Sequence, residues 1–185
     1  MAGNDFQNKS VIFDLTFGEV VNNHLVINEV YYFGEGRKLG QNDEWVELFN
    51  PTDHDISLKN WTLTDNSEIV TTIKANKTIK ANNFVILAKS ASTFAKFGIA
   101  SSALKVELGN QIGNGLDNTG DHLILKDPAG QEIDRMSWGT DVAGFTQNAA
   151  NPVVSSGSST ERLTPGFDTD TFSDWHSQTP PKPGS

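Results

Sequence analysis

The chain has 185 residues, of which 36% are hydrophobic and 20% are charged, so its size and composition are those of one globular domain. It contains no cysteine, which excludes thiol nucleophiles, thiolate zinc sites, iron–sulfur clusters and disulfides. Its net charge of −9 repels a phosphate backbone, so we expect no nucleic-acid partner.

Short runs of β-branched and aromatic residues, separated by Asn, Asp, Gly and Pro, follow one another along the chain. They predict strands at residues 11–17, 25–32, 44–50, 61–64, 69–73, 83–88, 122–126, 133–138 and 159–163. One helix of two turns is predicted at residues 90–98, with Ser90 as its cap, Phe94 and Phe97 on one face and Gly98 at its end. Short turns rather than helical crossovers join the strands, which favours an all-β sandwich or barrel.

The remaining segments are predicted loops and termini. Residues 109–120 are rich in Gly and Asn, and residues 141–158 are small and polar; loops of this length are functional or mobile. The proline-rich residues 179–184 predict an extended exit from the domain. Residues 1–23 are expected to form a linker or one extra strand, and residues 24–185 the domain itself. No apolar run is long enough to span a membrane, and the first ten residues are too polar for a secretory signal. The abrupt start at MAGND leads us to expect that flanking sequence is missing.

Several sequence blocks, taken in order, resemble a known family. They are INEV at 27–30, DEWVELFNP at 43–51, LKNWTLTD at 58–65, FVILA at 84–88, GDHLIL at 120–125, IDR at 133–135, and a closing segment from STER at 159–162 to DW at 174–175. Together they resemble the lamin tail domain, a module of nuclear lamins that also occurs in bacterial and archaeal proteins. The closing block is similar to the prokaryotic branch, and the resemblance extends over about residues 25–184.

The resemblance implies an immunoglobulin-like β-sandwich with one short helix, no disulfide and no catalytic residues. Prokaryotic members commonly occur in longer secreted or surface proteins, often beside hydrolase domains. We therefore expect a noncatalytic interaction or tethering module of a larger secreted or cell-surface protein, monomeric or part of a longer chain, that binds a protein or a glycan. The alternative is an accessory domain of a hydrolase whose catalytic part lies outside this chain.

Asp168, Asp170 and Asp174 are the candidate metal ligands. Closely spaced carboxylates supply the hard oxygen ligands that Ca²⁺ prefers, although this segment departs from the EF-hand pattern. The alternative is that these residues cap turns through their own backbone. No other cofactor is predicted.

Side-chain positions on the predicted strands give two further expectations. Trp45, Glu47 and Phe49 share one strand face, and the carboxylate of Glu47 either pairs with Arg162 or lies in solvent at the end of the strand. Trp61 and Trp138 are predicted core residues, because each lies in an apolar run.

The four histidines show no metal-binding or catalytic motif. Two Asp–His pairs, Asp53–His54 and Asp121–His122, lie at the ends of predicted loops, where sites often gather. They support a competing hypothesis of a metal-dependent hydrolase.

Overall fold

The computed structural model describes residues 23–33, 43–145 and 148–185. Within these ranges the chain forms twelve strands, one short helix (α1, Ala91–Phe94) and a 3₁₀ turn at Phe172–Asp174. The strands are β1 (Val26–Tyr31), β2 (Trp45–Asn50), β3 (Ile56–Ser57), β4 (Thr62–Thr64), β5 (Val70–Thr72), β6 (Thr78–Ile79), β7 (Asn83–Ala88), β8 (Leu104–Glu107), β9 (Gly120–Lys126), β10 (Glu132–Gly139), β11 (Ser159–Arg162) and β12 (Trp175–Gln178). The strand predicted at residues 11–17 lies outside the described residues.

Two sheets pack face to face and confirm the predicted all-β, immunoglobulin-like sandwich. The larger sheet has the strand order β12-β11-β1-β2-β7-β8, the smaller has the order β10-β9-β4-β5, and β3 pairs with β6 at one side. One buried core joins the sheets, with Leu48 from the larger sheet and Leu63 and Leu125 from the smaller. Trp61 and Trp138 lie in this core, as predicted. No helix in the described ranges is both long and apolar enough to cross a membrane.

A bulge in β1 decides which of its side chains face the core. The register between β1 and β2 shifts between Ile27 and Glu29, so Asn28 is an extra residue in β1. Ile27 and Val30 join the core between the sheets. Glu29 lies directly opposite Glu47 of β2 and shares the outer face of the larger sheet with it.

The helix is shorter than predicted and belongs to a crossover. β7 and β8 pair in parallel, and α1 lies on the connection between them, which is an exception to the short turns expected for most connections. Ser90 occupies the N-cap position of α1, as predicted, but its side chain makes no capping hydrogen bond. Phe94 and Phe97 do share a face, because both pack against the cluster of Tyr31 and Trp45 outside the larger sheet.

The proline-rich C-terminal segment lies against the larger sheet instead of extending from the domain. Pro183 and Gly184 are buried, and the Pro183 carbonyl accepts a hydrogen bond from the Ala100 backbone N–H at 3.4 Å. A side chain at Gly184 would meet the Ala103 methyl group at 2.8 Å. Tight packing therefore replaces the predicted stiff exit.

Candidate binding surface

The buried side chain of Arg162 organises the segment that holds the predicted calcium ligands. Its guanidinium forms ion pairs with Asp134 Oδ2 at 3.1 Å and Asp168 Oδ1 at 3.0 Å. It also donates hydrogen bonds to the carbonyls of Ile27 at 2.7 Å and Phe167 at 3.0 Å. The Trp175 ring lies 4.5 Å from its Cζ atom, a distance suited to cation–π attraction. Burial raises the pKa of the Asp134 carboxyl, and the Arg162 guanidinium opposes that rise. This network ties β11 to β1 and β10 below the loop at 164–168.

The three candidate calcium ligands differ in their surroundings. Asp168 Oδ1 also accepts the Asp170 backbone N–H at 2.9 Å, which is a turn cap of the kind considered as the alternative. Asp174 accepts the backbone N–H of Thr169 at 2.7 Å, while Asp170 is exposed and has a φ of 57°. In the described part of the chain, no three His, Cys, Asp or Glu side chains form a group that could hold a metal ion.

Calcium binding at Asp168, Asp170 and Asp174 stays a prediction. Millimolar Ca²⁺ is expected to raise the melting temperature, because a ligand that binds only the folded state stabilises it by mass action. Asp170→Ala is expected to abolish the rise, whereas Asp127→Ala in a distant hairpin should keep it. Melting curves that are unchanged by Ca²⁺ or EDTA would leave these carboxylates in their turn-capping role alone.

The structure corrects both alternatives for Glu47. Its side chain is fully buried, so it is not solvated. It does not pair with Arg162, because Glu161 shares the outer face with Glu29 and Glu47, while the next side chain, Arg162, points to the opposite face and binds Asp134 of the smaller sheet. Glu47 instead accepts hydrogen bonds from Asn28 Nδ2 at 2.9 Å and from the Gly184 backbone N–H.

The two Asp–His pairs differ in structure and are not brought together in one metal-holding group. His54 Nδ1 lies 3.0 Å from Asp53 Oδ1, and both side chains are exposed. His122 Nδ1 lies 2.8 Å from Asp141 Oδ2 and does not pair with the neighbouring Asp121. The carboxylate of Asp121 is buried and accepts three backbone N–H groups instead.

A groove of about 300 Å³ runs along the free edge of β5. Residues 69–72 and Lys74 line one side. The other side is lined by residues 108, 110, 111 and 113, which belong to the loop that follows β8. Because successive side chains of a strand point to opposite faces, four consecutive lining residues mean that the β5 backbone itself forms part of the wall. Ile69 and Val70 are 50% and 57% exposed, so the rim is apolar at this end of β5, while the rest of the lining is largely polar.

The backbone of β5 presents hydrogen-bonding groups to this groove. Among the described residues β5 pairs only with β4, and the Ile73 N–H donates to the Trp61 carbonyl at 2.8 Å on that side. Since the direction of backbone groups alternates along an antiparallel strand, the N–H and C=O groups of Val70 and Thr72 face away from β4. They are therefore available for a further strand.

Hydrogen bonds fix the opposite wall of the groove to β5. The Gly113 N–H donates to Thr71 Oγ1 at 2.8 Å, and the Asn114 N–H donates to Asp65 Oδ2 at 2.9 Å. Gly113 has a φ of +55°, and a Cβ atom there would lie 1.8 Å from Asp65 Oδ2, so the close approach requires glycine. The groove is thus formed before any ligand arrives.

Buried carboxylates surround the base of the loop at 109–119. Burial raises the pKa of Glu44 to about 7, and the nearby Asp121, Asp43 and Asp65 add to the rise. Burial also raises the pKa of Asp121. The sequence identified this loop as functional or mobile, but it gave no signal for the carboxylates that anchor it, because they lie on other turns and strands.

Comparison with known proteins agrees with this architecture. The family model of the lamin tail domain matches residues 20–140, which is more than half of the 185 residues. No curated protein matches the chain. The family is one of noncatalytic, immunoglobulin-like modules that typically serve in binding. The chain belongs to the lamin tail domain family.

Proposed function

We propose that this domain is a noncatalytic interaction module that binds an extended polypeptide segment along the free edge of β5. The observation that carries the proposal is the groove in which the backbone groups of Val70 and Thr72 are open beside an apolar rim. A segment in the extended conformation would add a strand to the smaller sheet through main-chain hydrogen bonds. The family resemblance supports a setting in a larger secreted or cell-surface protein, which the flanking gene sequence would test.

A polypeptide suits this groove better than a glycan. The unpaired groups of Val70 and Thr72 have the spacing of a strand ladder, which another backbone matches residue by residue. The exposed side chains of Ile69 and Val70 point to opposite faces, so each would contact the side chains of the added strand on its own face. The groove wall offers Lys74 as its one charged side chain among the described lining residues, so an acidic residue in the segment would complement it.

The test selects ligands from a random dodecamer peptide library displayed on phage and measures their affinities by calorimetry. Thr72→Pro removes an outward N–H without disturbing the β4 ladder, since proline is tolerated in edge strands. We expect it to lower the affinity of the selected peptides at least about fivefold, which corresponds to the net contribution of one hydrogen bond. Val70→Lys should lower the affinity of the same peptides by a similar factor, because it removes apolar contact.

Val153→Lys is the matched control, because Val153 is 44% exposed and lines a different pocket, beside β11 and β12. It should leave peptide affinity unchanged. Peptides that bind Thr72→Pro and Val70→Lys as tightly as the parent protein would refute docking at this edge. So would a glycan-array ligand whose binding both changes weaken, or a homodimer that Val70→Lys dissociates, since these identify other occupants of the edge.

A further inference from the structure

Three glutamates lie in one row across the outer face of the larger sheet. Glu29 of β1 is directly opposite Glu161 of β11 on one side and Glu47 of β2 on the other. Glu29 and Glu47 are fully buried. Like charges directly opposite each other in a sheet destabilise it, and burial of an unpaired charge costs still more. The row therefore favours a form in which Glu29 and Glu47 are not both ionised.

Residues 179–184, which we name the C-terminal strap, cover this pair. The Lys182 N–H donates to Glu29 Oε1 at 3.2 Å, and the Gly184 N–H donates to Glu47 Oε2. Asn28 and Ser159 supply one further donor each. No described residue bonds to Glu29 Oε2, which is also buried. This donor set is too small for two carboxylates and fits a pair that retains a proton.

Within the part of the chain that the structure describes, few other charged groups surround the pair. Glu161 on β11 adds negative charge, and its own Oε2 atom lies 3.7 Å from His176 Nε2 on β12. The strap contributes Lys182, while on β7 the residue opposite Glu47 is Ile86, followed on β8 by Lys105. Burial raises the pKa of Glu29 to about 7. Burial, and then the charge of Glu29, raises the pKa of Glu47 to about 8.

We propose that the C-terminal strap is a proton-dependent cover, docked while the Glu29–Glu47 pair retains a proton and released when both carboxyls ionise. The docked form binds more protons than a form in which water reaches the pair. Linkage therefore stabilises docking below the ordinary carboxyl range near pH 4.5 and removes that stabilisation as the pH rises through 7 to 8. Release admits water to the carboxylates and uncovers this part of the sheet.

The test uses a spin label on Ser185→Cys, which is the only cysteine because the chain has none of its own. At pH 6 the docked label should broaden the methyl signals of Ala100 and Ala103, against which Gly184 packs. At pH 9 we expect the broadening to be lost, with a midpoint between pH 7 and 8. Broadening that persists at pH 9, or is absent at pH 6, overturns the proposal.

Charge-neutral variants show whether the pair controls this transition. Glu29→Gln combined with Glu47→Gln keeps oxygen acceptors for the strap N–H groups, so the label should remain docked at pH 9. Glu107→Gln changes an exposed glutamate on β8 and should leave the transition unchanged. A double variant that releases the strap at the parental midpoint contradicts control by the pair. The titration of the parent protein decides the proposal even if the variant fails to fold.

Discussion

Arg162→Leu is expected to lower the free energy of unfolding by about 3–5 kcal/mol, the usual cost of breaking a buried ion pair from one side. The substitution leaves Asp134 and Asp168 without their cation, and it leaves the carbonyls of Ile27 and Phe167 without a donor. Against the 5–15 kcal/mol typical of a whole domain, this loss threatens folding at 37 °C. Urea denaturation at 15 °C would measure it.

Arg135→Leu is the matched control for this prediction. Arg135 lies next to Asp134 in sequence, but its side chain is 40% exposed and pairs with Glu132 near the surface. Exposed pairs contribute about 0–1 kcal/mol, so the control should remain close to the parent protein. Equal losses from both variants would contradict a special role for the buried network.

The pH dependence of the Arg162→Leu loss provides a second check. Burial already raises the pKa of Asp134, and removal of Arg162 takes away the opposing cation. In the variant the folded state then binds more protons than the unfolded state between the ordinary Asp range and its raised pKa. The destabilisation should therefore be smaller at pH 5 than at pH 8, and a loss that does not vary with pH would argue that packing dominates.

The sequence patterns predicted strands best where apolar residues alternate or run together. The block at 44–50 predicted β2 and the shared face of Trp45, Glu47 and Phe49, because side-chain alternation follows from local geometry. β12 was missed since its sequence WHSQ has one large apolar residue and becomes a strand by pairing with β11. β8 was missed because its parallel pairing depends on a crossover through α1.

Partner choice across the sheet could not be predicted from local sequence. Arg162 was a reasonable candidate for a buried carboxylate, and it does bind one, but that residue is Asp134 rather than Glu47. The difference arises from strand register, which places Glu161 on the outer face with Glu47 and turns Arg162 to the inner face, toward the smaller sheet. The same limit applies to the groove: the strand at 69–73 and the loop at 109–120 were both predicted, whereas their juxtaposition depends on how the two sheets stack.

Asp121→Ala should have the second-largest effect, lowering the free energy of unfolding by about 2–4 kcal/mol. The buried carboxylate accepts the backbone N–H groups of Asn66 at 3.0 Å, Asp117 at 3.0 Å and His122 at 2.8 Å. A fully buried donor left without an acceptor costs about 1–3 kcal/mol. These three donors are only partly buried, so water can reach some of them and the total is smaller than the sum. Thermal and urea unfolding would both report the loss.

Asp127→Ala supplies the comparison, because Asp127 also accepts backbone N–H groups, those of Ala129 and Gln131, both at 2.9 Å, but in an exposed hairpin. Water can replace its carboxylate there, so the loss should stay below about 1 kcal/mol. Asp121 joins the turn before β5 to the loop that forms the opposite groove wall, since Asn66 and Asp117 lie on those two segments. Asp121→Ala should therefore also lower the affinity of peptides selected on the parent protein, whereas Asp127→Ala should leave it unchanged. Equal peptide affinities for the two variants would show that the loop anchored by Asp121 does not shape the binding edge.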